Sequence, residues 1–260
     1  MKFVLFKYQG SVSYGLLKNE EIHAIEGQIT EEYDLIDQHY QLSEVELLAP
    51  CKPSKIVCVG INYKDNAKQN RKKKENKKVG VKIPDEPLTF LKPETAVVGP
   101  NQDITYPQMA NEVHFEPELA VVIKDTVRNI KESEVDQHIL GYTCFNDLTA
   151  IDLIAKDGMF TRGKSFDGFA PLGPTIVTDI DPSSLKIQSF INGKLKQDSN
   201  TSQMIFKIPE IISFISKIMT LRAGDVVTTG TPGVTKINPG DQLEIKIEEI
   251  GSLKNKIIEE

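Results

Sequence analysis

The apolar positions of this chain fall mainly into short runs with the alternation typical of strands. Residues 3–8, 12–17 and 21–25 are β-compatible and lie close enough together for a meander. Pro50 and Pro53 then mark a change of composition that suits a linker. A small N-terminal β-rich domain over residues 1–50 and a main domain over residues 51–260 are therefore expected. In the main domain, the apolar run 55–60 is predicted to be a buried strand, and residues 87–91 and 95–98 resume β character. The lysine-rich stretch 63–82 between them has no apolar periodicity and is predicted to stay out of the core.

Helix signals are few. Ser133, followed by acidic residues, suits the cap of a helix running through His138. Over residues 209–219, Pro209 fits a first helical position, and Ile211, Ile212, Ile215, Ile218 and Met219 form one stripe. The tail returns to β runs at 225–229 and 241–250, with Gly251 and Ser252 before a last strand. Strands dominate and are not regularly interleaved with helices, which points to a mixed β or α+β fold.

Composition adds limits. The chain is 39% hydrophobic and 26% charged, as an ordinary globular protein is. A formal net charge of -6 argues against nucleic acid or acidic lipid as a partner. Residues 68–82 hold eight Lys or Arg and one Glu, a local +7, so the remainder carries -13. Cys51, Cys58 and Cys144 are odd in number and lack metal-site spacing, which suits a reducing compartment. The opening residues do not read as a signal peptide, and no apolar run approaches the roughly 18 residues of a membrane span. A cytoplasmic protein is expected.

The strongest chemical signal lies in residues 113–123. Side chains alternate on a strand, so Glu116 and Glu118 point the same way. Downstream, Ala120 and Val122 on one face, and Leu119, Val121 and Ile123 on the other, predict a strand buried on both sides. Two carboxylates at the start of such a strand are costly unless a cation neutralises them. A solvated strand end, with Pro117 at a sheet edge, is the alternative. His114 shares the glutamate face and is a further candidate ligand, although a lone histidine in such a place is more often structural.

Asp147, in an apolar and small-residue stretch, would complete an all-oxygen site for a hard cation. Asp152 competes with it and would equally cap a turn. Magnesium suits this donor set best, with manganese or calcium next. Residues 161–174 are rich in Gly and Pro and predict a shaped loop. That loop would present Lys164 as a cation or, beside a metal, as a proton-transferring amine of depressed pKa.

Further motifs follow in order: Gly60-Ile-Asn-Tyr63, Phe90-Leu-Lys-Pro93, Glu116-Pro-Glu-Leu119, Asn146-Asp-Leu-Thr149, Gly163-Lys-Ser-Phe-Asp167, Pro171-Leu-Gly-Pro174 and Thr229-Gly-Thr-Pro-Gly233. With residues 200–204 before the helix, they resemble the fumarylacetoacetate hydrolase family across about residues 55–258. The resemblance implies a mixed β-roll catalytic domain, usually a homodimer, with Mg2+ or Mn2+ on Glu116, Glu118 and Asp147. It implies cleavage, decarboxylation or isomerisation of small 2-oxo acids, acylpyruvates or dienol acids through a shared enolate. Lys164 matches the family's active-site lysine. Thr231 matches a residue that helps hold the substrate carboxylate, and Gly230 and Tyr63 lie in neighbouring substrate-binding motifs.

The departures from the family pattern narrow the chemistry. Hydrolytic and decarboxylating members commonly carry a His and a Glu that activate water where this chain has Asn66 and Gln69. Neither amide takes a proton from water near neutral pH. Ile61 and Ile154 stand where some acylpyruvate-cleaving relatives place Arg and Gln, removing polar contacts to substrate. General-base assistance contributes about 10²–10⁴-fold, so its loss disfavours C–C hydrolysis and leaves enolisation, as in a tautomerase or isomerase. Hydrolase or decarboxylase chemistry using His114 or Lys164, and non-catalytic dicarboxylate binding, are the competing expectations. The basic run 68–82 would either steer dianionic substrates or form a solvated segment.

Overall fold

The computed structural model describes residues 1–66 and 83–260; Gln69 and the basic run 68–82 lie outside the described residues. The architecture is α+β and rich in strands. A twelve-stranded sheet contains a path of ten, in the order Tyr33–Gln41, Glu21–Gly27, Ser11–Lys18, Lys2–Tyr8, Ala170–Val177, Ile139–Asn146, Pro117–Ile123, Val226–Thr228, Ile56–Gly60, Leu88–Lys92. The N-terminal meander forms where alternation predicts it, and its first strand pairs with Ala170–Val177, Phe3 opposite Ile176. The first fifty residues thus extend the main sheet. Tyr33–Gln41 closes one edge; it is mostly exposed and shows no clear alternation, which is why the pattern gives no strand there.

The sheet rolls. Lys92 belongs to the last strand of that path, yet its Nζ donates to Leu148 O at 2.9 Å and also to Phe169 O. Leu148 directly follows the strand Ile139–Asn146, from which Lys92 is separated by three intervening strands. Val97–Val98 then pairs in parallel with Ala170 and Pro171, which completes the closure. A second sheet, ordered Lys194–Asn200, Lys186–Ile191, Gln242–Ile247, Gly251–Glu259, Asp103–Tyr106, covers the roll. Leu119, Val121 and Ile123 join the core with Ile187, Ile245 and Leu253, while Ala120 and Val122 pack with Ile56, Phe145 and Leu172. Both faces of Pro117–Ile123 are buried, as the double apolar pattern predicts, and Pro117 sits inside the sheet opposite Asn146. The solvated-edge alternative is thereby removed.

Three local expectations change. Residues Glu132–His138 form a 3-10 helix, with Glu134 Oε2 accepting from Lys131 N at 2.7 Å, not an α-helix capped by Ser133. The stretch 161–174 is not one loop. It contains the helical turn Thr161–Lys164 and the strand Ala170–Val177, whose Pro174 falls where the register against Ile139–Asn146 shifts. Such an irregularity accommodates a residue without an N–H. The helix Ile208–Ile218 matches the predicted one, but Ile218 is exposed because it lies at the rim of the stripe in the last turn.

The buried stripe Ile208, Ile211, Ile212 and Ile215 holds this helix to the second core layer. Ile215→Ala is expected to lower the unfolding free energy by about 2–5 kcal/mol through cavity formation. Ile218→Ala is expected to change it by less than about 0.5 kcal/mol. Urea denaturation of the two variants checks the contrast.

Candidate active site

The ends of five neighbouring strands converge at one point of the roll: Ile139–Asn146, Pro117–Ile123, Val226–Thr228, Ile56–Gly60 and Leu88–Lys92. Glu118 belongs to the second of these, and Glu116 and Asp147 lie just beyond paired strand ends. There Asp147 N donates to Glu116 O at 3.0 Å, and Glu116 N donates to Asn146 Oδ1 at 3.2 Å. This frame brings one carboxylate oxygen of each of Glu116, Glu118 and Asp147 within 4.8 Å of the others. Glu118 is 1% exposed and Asp147 is 2% exposed.

Glu118 Oε2 accepts from Gly230 N at 2.9 Å. Gly230 has φ of 87°, and a Cβ there would lie 2.8 Å from Asn62 Cβ, so only glycine fits. Asn62 itself is fully buried and staples two loops. Its Nδ2 donates to Phe206 O at 3.1 Å and Thr229 O at 2.8 Å, and its Oδ1 accepts from Phe206 N at 2.7 Å. The next loop residue back, Ile61, has φ of 56°, an unfavourable region for a β-branched side chain.

Two lysines face the carboxylates. Lys164 Nζ donates to Asp147 Oδ2, lies 3.5 Å from Glu116 Oε2, and sits 4.7 Å above the Phe90 ring. Lys92 Nζ forms an ion pair with Asp147 Oδ1 at 2.8 Å. Gly163 lets the Lys164 turn pack closely, because a Cβ there would meet Ala150 O at 2.6 Å.

Burial opposes every one of these charges, and the balance differs between them. Burial raises the Glu118 pKa well above the carboxylate range, and the charges of Asp147 and Glu116 add to it. Burial also raises Glu116, against the pull of Lys164. For Asp147 burial is outweighed by Lys164 and Lys92, and its pKa is lowered. Burial lowers Lys92 despite Asp147. For Lys164, burial is overcome by Asp147 and Glu116, which hold the ammonium charged. Without a metal, the carboxylates of Asp147 and Glu116 favour the Lys164 cation, the first of its two expected forms.

Two lysines do not balance three buried carboxylates. An all-oxygen donor set with this residual negative charge fits a hard divalent cation, and Glu116, Glu118 and Asp147 would hold it. A cavity of ≈ 300 Å³ opens beside them, with Lys164, Asn66, Thr149 and Thr231 among its polar lining. Its apolar wall is formed by Ile61, Leu88, Phe90, Ile151, Ile154 and Phe160.

The other expected residues are distributed around this centre. Asn66 lines the cavity and donates from Nδ2 to Thr231 O at 3.2 Å. Thr231 also lines it, and its hydroxyl donates to Gly233 O at 2.6 Å. Tyr63 is fully buried in the core and does not line the cavity. Gly230 acts through its N–H behind the wall. His114 reaches the cavity, but its Nε2 lies 2.7 Å from Glu112 Oε1, outside the carboxylate cluster. Asp152 caps a turn, accepting from Asn111 N at 2.9 Å and Asn111 Nδ2 at 3.1 Å. Lys92 and Asn62 had no assigned role in the sequence reading. The signal available for Lys92 was a lysine placed two residues after Phe90 on a strand, which puts both on one face.

Residues 55–258 match the fumarylacetoacetate (FAA) hydrolase C-terminal family, and residues 1–50 match the Rv2993c-like N-terminal family. The chain belongs to the fumarylacetoacetate hydrolase family, whose members are enzymes. It is 41% identical over 230 residues to a mitochondrial oxaloacetate tautomerase of Bos taurus, covering 83% of this chain and 70% of that one. The structure of a 2-hydroxyhepta-2,4-diene-1,7-dioate isomerase from Mycobacterium marinum superposes with a TM-score of 0.91 at 37% identity, covering 100% of this chain and 99% of the other. A maleylpyruvate hydrolase from Sphingobium sp. SYK-6, in complex with manganese(II) and pyruvate, gives 0.79 at 26% identity over 100% and 99% of the chains.

The raised Glu118 pKa has a thermodynamic consequence. Folding holds a proton on this group, so its ionisation opposes folding as pH rises from the unfolded pKa through the folded one. Asp147, held low, adds stability above its unfolded pKa that is lost as pH falls. Glu118→Gln is expected to raise the melting temperature of metal-free protein at neutral pH. In the wild type, Mg2+ at a hundredfold excess over its Kd should add about 2.7 kcal/mol, and in the variant almost nothing. Thermal denaturation with Mg2+ and with chelator checks both.

Proposed function

We propose that this chain shifts a proton within a small 2-oxo or 2-hydroxydienoic acid, as a tautomerase or double-bond isomerase. Magnesium held by Glu116, Glu118 and Asp147 is its assigned cofactor, with manganese or calcium as substitutes. One observation carries the reading: three carboxylates converge beside a lysine ammonium in a cavity whose remaining wall is largely apolar. A divalent cation bound there supplies the Lewis acidity that lowers the energy of an enolate.

The chain's own groups do the rest. Lys164 presents Nζ at the cavity wall, steadied by Asp147 and by the Phe90 ring, where its ammonium would stabilise developing negative charge, donate a proton to the substrate carbon and then, as the amine, take the proton of the enol hydroxyl. Asp147 is in turn held by Lys92, so the ammonium and the carboxylate keep a constant relation. Thr231 would assist the substrate carboxylate by turning its hydroxyl proton from Gly233 into the cavity.

Among the described residues, the cavity wall carries an amide at Asn66 in place of a water-activating histidine. Asn66 is an amide engaged with the Thr231 carbonyl, and Gln69 is its companion in sequence. Proton relocation consumes no water, and the apolar wall helps to exclude it. The tautomerase and isomerase named among the relatives support the same class. Family resemblance supports a homodimer, and three free, buried cysteines support a reducing compartment such as the cytoplasm.

Magnesium-loaded protein assayed against oxaloacetate enol, a hydroxydienedioate and an acylpyruvate should interconvert isomers at least about 10²-fold faster than it cleaves C–C bonds. Comparable cleavage would replace this reading with the hydrolase or decarboxylase one. Glu116→Ala and Lys164→Ala should each remove most isomerisation. Converting Asn66→His together with Gln69→Glu should raise acylpyruvate cleavage by about 10²–10⁴-fold, measured as pyruvate release.

A further inference from the structure

A second donor cluster lies far along the same sheet, on the N-terminal meander. Glu21 and His23 are two residues apart on the strand Glu21–Gly27, so they share a face. His39, on the edge strand Tyr33–Gln41, is registered directly opposite His23. The imidazole rings lie edge to face with centroids 4.4 Å apart. Glu21 Oε2 is 3.2 Å from His23 Nε2 and 3.9 Å from His39 Nδ1. One donor atom from each residue lies within 4.8 Å of the other two.

We infer that Glu21, His23 and His39 form a zinc-binding site that clips the edge strand of the sheet to its neighbour. Zinc bonds of roughly 2.0–2.1 Å in a tetrahedron separate ligand atoms by about 3.3 Å. The Glu21–His23 spacing already meets that value, and a side-chain rotation brings His39 to it. Two imidazoles and one carboxylate are a borderline donor set that suits zinc and leaves a fourth position for water. Behind the cluster, Asp37 Oδ1 lies 3.6 Å from His39 Nε2.

The location gives the ion a task. Tyr33–Gln41 has a partner on one side only and buries little of its surface. Its attachment is therefore the weak point of the meander, and a metal joining His39 to Glu21 and His23 strengthens it without adding core. Donor chemistry separates this cluster from the all-oxygen centre around Glu118, which favours harder ions.

The test uses the full chain in saturating Mg2+, which occupies the all-oxygen centre, and titrates in Zn2+ by calorimetry and Co2+ by visible absorption. The expected result is one further equivalent of Zn2+ per chain and an intense four-coordinate Co2+ spectrum, both lost in His39→Ala and in His23→Ala. Zinc should also slow amide exchange in residues 33–41 of the wild type but not of His39→Ala. His39 is partly exposed, so its variant keeps the fold, and unchanged Mg2+-dependent activity verifies this. Equal Zn2+ uptake by the wild type and His39→Ala, or wild-type saturation only at millimolar Zn2+, would overturn the assignment.

Discussion

Among the described residues, three carboxylates are buried beside two lysines, and this sets the terms for the architecture around them. Left alone, such charges would return to solvent or take up protons, since the interior penalises each of them. The roll prevents the first outcome by closing five strand ends around the cluster. Lys92 takes part in that closure and in the charge balance at once, because it bonds Leu148 and Phe169 carbonyls and pairs with Asp147. Glu118, on which burial and the neighbouring carboxylates favour a proton, is the group that a hard dication would ionise and neutralise.

The same arrangement limits the chemistry. Asp147 and Glu116 face Lys164 and favour its cation, so in the proposed reaction it would serve as a charge and a proton donor. Ile61, Ile154 and Phe160 of the cavity wall offer nothing to polarise water. Asn66 occupies a position from which a histidine would activate water, and an amide does not. The proposed tautomerase or isomerase reading draws on these features, because it needs only a proton moved within the substrate.

The two donor clusters illustrate how setting selects an ion. The inner one is all oxygen and buried. The outer one mixes nitrogen and oxygen and is more open to solvent. Their separate preferences follow from ligand type before any difference in geometry is considered.

Local periodicity was enough to determine the N-terminal meander, the doubly buried strand at residues 117–123 and the helix over Ile208–Ile218, since each depends on side chains within a few residues. Alternation likewise put Glu116 and Glu118 together, and the apolar surroundings of Asp147 marked it as their partner. The edge strand Tyr33–Gln41, the helix Ile151–Asp157 and the strand through Pro174 lacked that local signature. The choice of Asp147 over Asp152 depended on which carboxylate the strand ends turned inward and which one Asn111 captured. Lys92, Asn62 and the charge on Lys164 were decided only by tertiary structure. Each depends on groups tens of residues away in sequence, and pairwise distances of a few ångströms between such groups exist only once the sheet has rolled.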